Sequence, residues 1–260
     1  MKPEKMTESN RKIPEGIKRE VRKRCGFGCV ICGIPIYEYD HIEEWSKVQK
    51  HEADNITLLC DLHHKEKTNR LLSKSQVLKA NSNPFNIINN LSNPHKLNYD
   101  SEDFSIYFGD MRFRIENLNS KKDFLIPLLV DNKKLISFDI EDEQLFLNVA
   151  LKNDQNEMLL RIENNELAYS SENWDVEFIA NRLKVRRKLG EIIFDVEFLI
   201  PNSIKIHKAE FFFNNRRILV DTNGIKMNGF SFKGREVVNF RIGVAIGEFD
   251  EKTSCAIRLG

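Results

Sequence analysis

Cys29-Val30-Ile31-Cys32-Gly33, then Tyr39-Asp40-His41-Ile42, then Asp54-Asn55-Ile56-Thr57-Leu58-Leu59-Cys60-Asp61-Leu62-His63-His64-Lys65-Glu66-Lys67-Thr68 is the stretch on which the reading of this chain turns. Between Cys29 and Lys67 lie three of the five cysteines and four of the six histidines, a density that packing does not require. A CxxC on a tight turn sets two thiolates about one metal ion, and Gly33 lets the backbone fold round it. Cys60 and His63 offer a second pair at the same spacing, so Cys29, Cys32, Cys60 and His63 are expected to close a tetrahedral structural Zn²⁺ site. Cys25 is a spare thiol that can substitute for one of them. A bunching of cysteines of this kind in a reducing compartment favours a metal over a disulfide framework.

Outside that set stand Asp40, His41, Asn55 and His64. On a regular strand Asp40 and His41 face opposite ways, so one can hold a metal while the other accepts a proton. An Asp40 oxygen and a His64 nitrogen make an open site for a divalent cation such as Mg²⁺ or Mn²⁺. His41 titrates near neutrality and suits deprotonation of a water. Together these groups fit hydrolysis of a phosphodiester.

Around the motif, Ile13-Pro14-Glu15 opens a helix reaching about Arg24, with Gly26 as its stop. Lys18, Arg19, Arg22 and Lys23 on it, and Lys67 later, are candidate contacts to nucleic-acid phosphates; a solvated face would show the same charges. Residues 36–39 and 55–59 read as strands, 43–54 as a loop, and 61–80 as a helix turning Leu71, Leu72 and Leu78 inward. The result is a ββα unit too small to stand without its metal. Residues 1–80 hold 16 Lys and Arg against 12 Asp and Glu, net +4; the remainder has 24 against 27. The basic end is thus the metal-binding end, as contact with phosphate would require.

The combined pattern resembles the HNH endonuclease family in its zinc-stabilised ββα-metal form, over residues 13–80. The resemblance implies His41 as general base, Asp40 and His64 as ligands of the catalytic metal, and Asn55 either in the metal shell or pinning the loop that orients the base. Where many relatives have CxxCH, this chain has Cys60-Asp61-Leu62-His63-His64; the change weakens zinc binding somewhat and leaves open an exchange of roles between the two histidines.

Residues 1–12 read as a flexible arm, and 81–100, with seven Asn and two Pro, as a linker. From Phe104 the hydrophobic period becomes two: Met111, Phe113 and Ile115; Leu145 to Leu151; Met158, Leu160 and Ile162; Trp174, Val176 and Phe178; Ile192 to Phe198; Ile218 and Val220. Asp131-Asn132, Asn164-Asn165, Asn214-Asn215, Asn223-Gly224 and Asn228-Gly229 punctuate them as turns. The fold class expected is α+β, an HNH domain followed by a larger all-β domain over 101–260 that is a sandwich, a barrel or a short β-solenoid. Lys184, Arg186, Arg187 and Lys188, and Arg216 with Arg217, are basic tips that either grip nucleic acid or keep strand edges apart.

The polar first residues and the absence of any long apolar run imply a cytoplasmic chain with no membrane partner. The expected function is DNA endonuclease action, with the β domain selecting a target, binding a protein partner or forming a homo-oligomer; architecture of this kind looks similar to restriction and phage-defence nucleases. The alternative from another class is a zinc-stabilised nucleic-acid-binding or scaffold protein without catalysis.

Overall fold

The computed structural model describes residues 12–119, 121–169, 175–227, 229–250 and 252–259. The arm expected over 1–12 lies outside them save for Lys12, as do Trp174 and Asn228. The protein is mixed α+β, 47% strand and 16% helix, and divides into two units, residues 1–89 and 90–260.

In the first unit α1 (Glu15–Arg24) follows Pro14, with an acid in its first turn and three bases in its last, each sign where the helix dipole favours it. It stops at Gly26 (φ +68°). β1 (Glu38–His41) and β2 (Ile56–Leu59) pair antiparallel, Asp40 opposite Thr57 and His41 opposite Ile56. The connection is not wholly irregular: it holds the short helix α2 (Trp45–Val48) and a 3-10 turn, Ala53–Asn55. β2 runs into α3 (Asp61–Thr68). Ile13, Val21, Cys25, Val30, Ile56, Leu58 and Leu59 form one buried cluster with Cys29 and Cys60, so two of the predicted ligands sit in the core itself.

Two expectations are corrected here. The helix predicted over 61–80 is two helices, α3 and α4 (Lys74–Ser82). Arg70 takes a left-handed conformation (φ +63°), and Ser73 and Gln76 restart the chain with a reciprocal capping box, a Ser-x-x-Gln signal legible in the sequence. The break turns Leu71 and Leu78 to solvent, 77% and 45% exposed, and buries Val77 instead. The predicted linker also begins too early, because residues 85–89 form α5 (Phe85–Asn89) and belong to the first unit.

The second unit is sheet. It begins with β3 (Leu97–Asn98), β4 (Phe104–Phe108) and β5 (Met111–Ile115), followed by a meander of β6 (Lys122–Val130), β7 (Lys133–Glu141), β8 (Gln144–Lys152), β9 (Met158–Glu163) and β10 (Glu166–Tyr169). A second contains β11 (Asp175–Ile179), β12 (Arg182–Lys188), β13 (Glu191–Leu199), β14 (Ser203–Phe213), β15 (Arg216–Asp221), β16 (Gly224–Met227) and β17 (Phe230–Phe232), and β18 (Glu236–Val238), β19 (Ile242–Ile246) and β20 (Ile257–Leu259) complete the chain. One sheet runs β10-β9-β8-β7-β6-β19-β20 with β3 on β8; the other runs β11 to β17 in order, with β4, β5 and β18 joined through β14. Both are open paths among the described residues. The sheets meet where the Phe104 ring stands edge-on to Phe138, 5.9 Å between centroids.

The period-two reading holds well. β8 buries Leu145, Leu147, Val149 and Leu151, and β5 buries Met111, Phe113 and Ile115. In β13 the alternation slips: a bulge at Asp195/Val196 breaks its register with β14, and Ile193, not Ile192, is buried; in β9 it slips again, leaving Met158 exposed beside the irregular pairing with Lys152. Asp131-Asn132, Asn164-Asn165 and Asn214-Asn215 have positive φ at both residues, the tight hairpin geometry Asn tolerates best. The basic tips are neutralised from within: Arg186 pairs with Asp175 and Glu177, Arg187 and Lys188 with Glu191, Arg216 with Asp131, and Arg217 with Glu210. Among the described residues no helix is long and apolar enough to cross a membrane.

Candidate active site

The CxxC turn is built by backbone geometry. The Gly33 N–H donates to Cys29 O (2.8 Å) and Cys29 N–H to Ile34 O (2.9 Å), while Val30 N–H ties the turn to Leu58 O in β2. Gly33 has φ +73°, and a Cβ there would lie 2.3 Å from Asn86 Oδ1 and 2.4 Å from the Phe85 ring. α5 is therefore seated on the turn: Phe85 N–H donates to Val30 O (3.0 Å), and the buried Asn86 amide donates to Gly26 O (2.9 Å). Sequence reading missed this support because Asn86 lies in a segment whose composition marks it as linker.

Cys60 precedes α3, whose first turn carries His63, so the second pair meets the first across the end of β2. The ligand atoms of Cys29, Cys32, Cys60 and His63 all lie within 4.8 Å of one another. Cys32 Sγ is 3.7 Å from Cys60 Sγ, and His63 Nδ1 is 3.4 and 3.1 Å from Cys29 and Cys60. Zn–S and Zn–N bonds of about 2.3 and 2.0 Å at a tetrahedral angle put neighbouring ligand atoms about 3.5–3.8 Å apart, so the four fit a zinc ion. A hydrogen bond from Cys32 pulls the Cys29 thiol pKa down against the burial that raises it, which favours the thiolate form that binds a cation. Cys25 is outside the set; it is buried beside Asn81, and burial pushes its thiol up.

Alternation along β1 separates Asp40 from His41 as expected. Asp40, 9% exposed, faces α3: its Oδ1 is 3.4 Å from His64 Nε2, and its Oδ2 accepts from Lys67 Nζ. Glu38 Oε2 stands 3.3 Å from the other His64 nitrogen, the sort of carboxylate partner that orients a ligating imidazole. Asp40 and His64 thus present an oxygen and a nitrogen at ligand-to-ligand spacing, and a divalent cation fits them with further positions left open.

His41 has other neighbours. Its Nε2 lies 3.3 Å from His51 Nδ1, and its ring centroid is 5.1 Å from Trp45. Burial and the neighbouring His51 lower the His41 pKa, with Asp40 acting in the opposite sense, a balance that favours the neutral, proton-accepting ring. Asn55 spans the loop just after it: its Oδ1 accepts from Glu43 N–H (2.8 Å), its amide donates to Glu43 O (3.4 Å), and its own O accepts from Ile42 N–H.

The predicted phosphate contacts fare less evenly. Lys67 turns inward, its Nζ shared between Asp40 and His41 O (2.5 Å). Arg22 is buried and donates to the Tyr39 hydroxyl (2.6 Å). Lys18 pairs with Glu15 (2.8 Å) over the Tyr39 ring, Arg19 is half-buried, and Lys23 is exposed. The amphipathic face that seats α1 on the core takes up most of the positive charge read as solvated. His51 and Trp45, by contrast, had no signal: an isolated His and Trp in a charged loop carry no spacing.

No curated protein and no solved structure matches this chain. Residues 29–70, the segment that holds every candidate ligand and candidate acid–base side chain, match the HNH endonuclease family.

Proposed function

We propose that the protein is a metal-dependent endonuclease that hydrolyses phosphodiester bonds of DNA, with His41 as general base. The observation that carries this reading is the arrangement on β1: Asp40 and His64 3.4 Å apart on one side, and His41 in the next position with different partners, His51 and Trp45. Asp40 and His64 would hold a Mg²⁺ or Mn²⁺ ion, which when bound supplies positive charge to the phosphate and the leaving oxygen. His41 takes a proton from water as the water oxygen bonds to phosphorus; the P–O bond to the leaving sugar oxygen breaks, and that oxygen is protonated by solvent. Asn55 holds the backbone after His41, and Lys67 holds its carbonyl, so the imidazole is set before substrate arrives. Cys29, Cys32, Cys60 and His63 would keep a structural Zn²⁺. The net +4 of residues 1–80 supports phosphate binding, with Lys23 the clearest candidate contact. We assign the second unit to target selection, partner binding or self-association, in a cytoplasmic setting such as restriction or phage defence.

The test is plasmid cleavage by the full zinc-loaded chain with and without added Mg²⁺ or Mn²⁺, against His41→Ala. Cleavage that needs the added ion and falls by about 10²–10⁴ in the variant, with DNA affinity and zinc content retained, is the expected result. Indifference to His41 would favour the other reading, a zinc-stabilised nucleic-acid-binding protein, in which Lys67 neutralises Asp40 permanently.

A further inference from the structure

We infer that His51 is a positioning residue for His41, accepting the Nε2–H of His41 on its own Nδ1 and so fixing the tautomer that leaves the His41 Nδ1 lone pair free. The inference rests on the reading of His41 as the base. The loop between β1 and β2 carries His51 back over His41, ten residues on in sequence. Trp45 stacks on the His51 ring at 4.4 Å and 24°, and tilts against His41 at 59°. The two imidazole centroids are 5.3 Å apart, and Nε2 and Nδ1 stand at a hydrogen-bond distance of 3.3 Å.

Only one ring can donate across that gap. A neutral imidazole has one N–H and one lone pair. Were His51 the donor, it would consume the His41 lone pair at Nε2, and the proton of His41 would sit on Nδ1; nothing would remain to accept a proton from water. With His41 as donor, Nδ1 is the free acceptor and the ring cannot flip without breaking the bond. A base oriented by a third group through its second nitrogen is a general solution in proton-transfer sites. Trp45 supplies the rigid surface that holds the plane of His51, and Asn55 anchors the same loop through Glu43.

The experiment uses the full zinc-loaded chain with ¹⁵N-labelled histidine. Long-range ¹H–¹⁵N spectra at a pH where the rings are neutral report which nitrogen of His41 bears the proton, in the native chain, His51→Asn and His51→Leu. His41 should be the Nε2–H tautomer in the native chain and in His51→Asn, whose Oδ1 can take the place of Nδ1, and a mixture in His51→Leu. Single-turnover cleavage at saturating DNA should fall about tenfold to a hundredfold in His51→Leu and largely recover in His51→Asn, with DNA affinity unchanged. An Nδ1–H tautomer in the native chain overturns the inference without any variant, as does an unchanged tautomer and rate in His51→Leu. If the native chain cleaves nothing, the endonuclease reading fails, and the ring spectra still decide the role of His51.

Discussion

At the scale of single residues the site holds a carboxylate kept out of water only because it has partners. That residue is Asp40: 9% exposed, with the Lys67 ammonium on one oxygen and His64 beside the other. Truncating one partner of a buried pair strands the other charge. Lys67→Met is therefore expected to lower stability by about 2–3 kcal/mol, below the loss for a fully dry pair because Lys67 keeps some solvent contact. The double change Asp40→Asn with Lys67→Met should recover much of that loss. Urea unfolding of the four members of this cycle measures the coupling; strictly additive losses would show that the pair contributes nothing. Arg22 follows the same logic, its charge held against the Tyr39 hydroxyl inside the first unit, which is why counting bases in α1 misjudged how many could reach a phosphate.

At the scale of elements, the zinc turn depends on a helix that lies outside the motif. α5 caps Gly33 and Gly28 with Phe85 and Asn86 and donates a backbone hydrogen bond to Val30. A fragment spanning residues 12–89 is expected to fold and hold one zinc. A fragment ending at residue 83, which keeps α4 whole, loses the Phe85 and Asn86 hydrogen bonds and the Phe85 packing, about 3 kcal/mol, and should melt about 10 °C or more below it. Circular dichroism melts with zinc content measured on the same samples decide this; equal melting would mean that α5 is an ornament. Chelation of zinc should unfold the longer fragment as well, since two of the proposed ligands, Cys29 and Cys60, belong to its buried cluster and binding energy is folding energy in so small a unit.

At the scale of the second unit, Asp131 ties the two sheets together. It lies in the β6–β7 turn of one sheet, and its Oδ2 accepts from Asn214 (2.8 Å) and Arg216 (2.6 Å) at the β14–β15 turn of the other; its Oδ1 accepts from Glu248 N–H (2.9 Å). Gly247, at φ +76°, is needed beside it, because a Cβ there would stand 2.0 Å from the carboxylate. Burial alone would raise the Asp131 pKa, but the bonds from Asn214 and Glu248 and the Arg216 charge outweigh it and hold it below the ordinary 3.8. A depressed carboxyl binds its proton more weakly folded than unfolded, so its contribution is complete above 3.8 and lost as pH falls through the folded value. Asp131→Asn should cost about 1–2 kcal/mol near neutrality, a deficit that shrinks below about pH 4. Chemical denaturation of the two proteins across that range checks it; a deficit independent of pH would point to lost shape rather than lost charge.

The sequence by itself determined the Cys29, Cys32, Cys60 and His63 cluster, the ββα order and the period-two strands, because each is written in spacing: CxxC and CxxH bring their four side chains together, adjacent Asp40 and His41 must diverge on a strand, and alternation such as Leu145 to Leu151 admits one buried face. It also held the α4 capping box at Ser73 and Gln76, a local signal in the chain. Only the tertiary structure decided what long-range contact supplies. His51 reaches His41 through a loop with no periodicity, Asn86 reaches the zinc turn from a segment that composition marks as linker, and Lys67 and Arg22 turn inward to partners remote in sequence. Spacing records which residues share an element, and the partners of a buried charge are settled by how elements close upon one another.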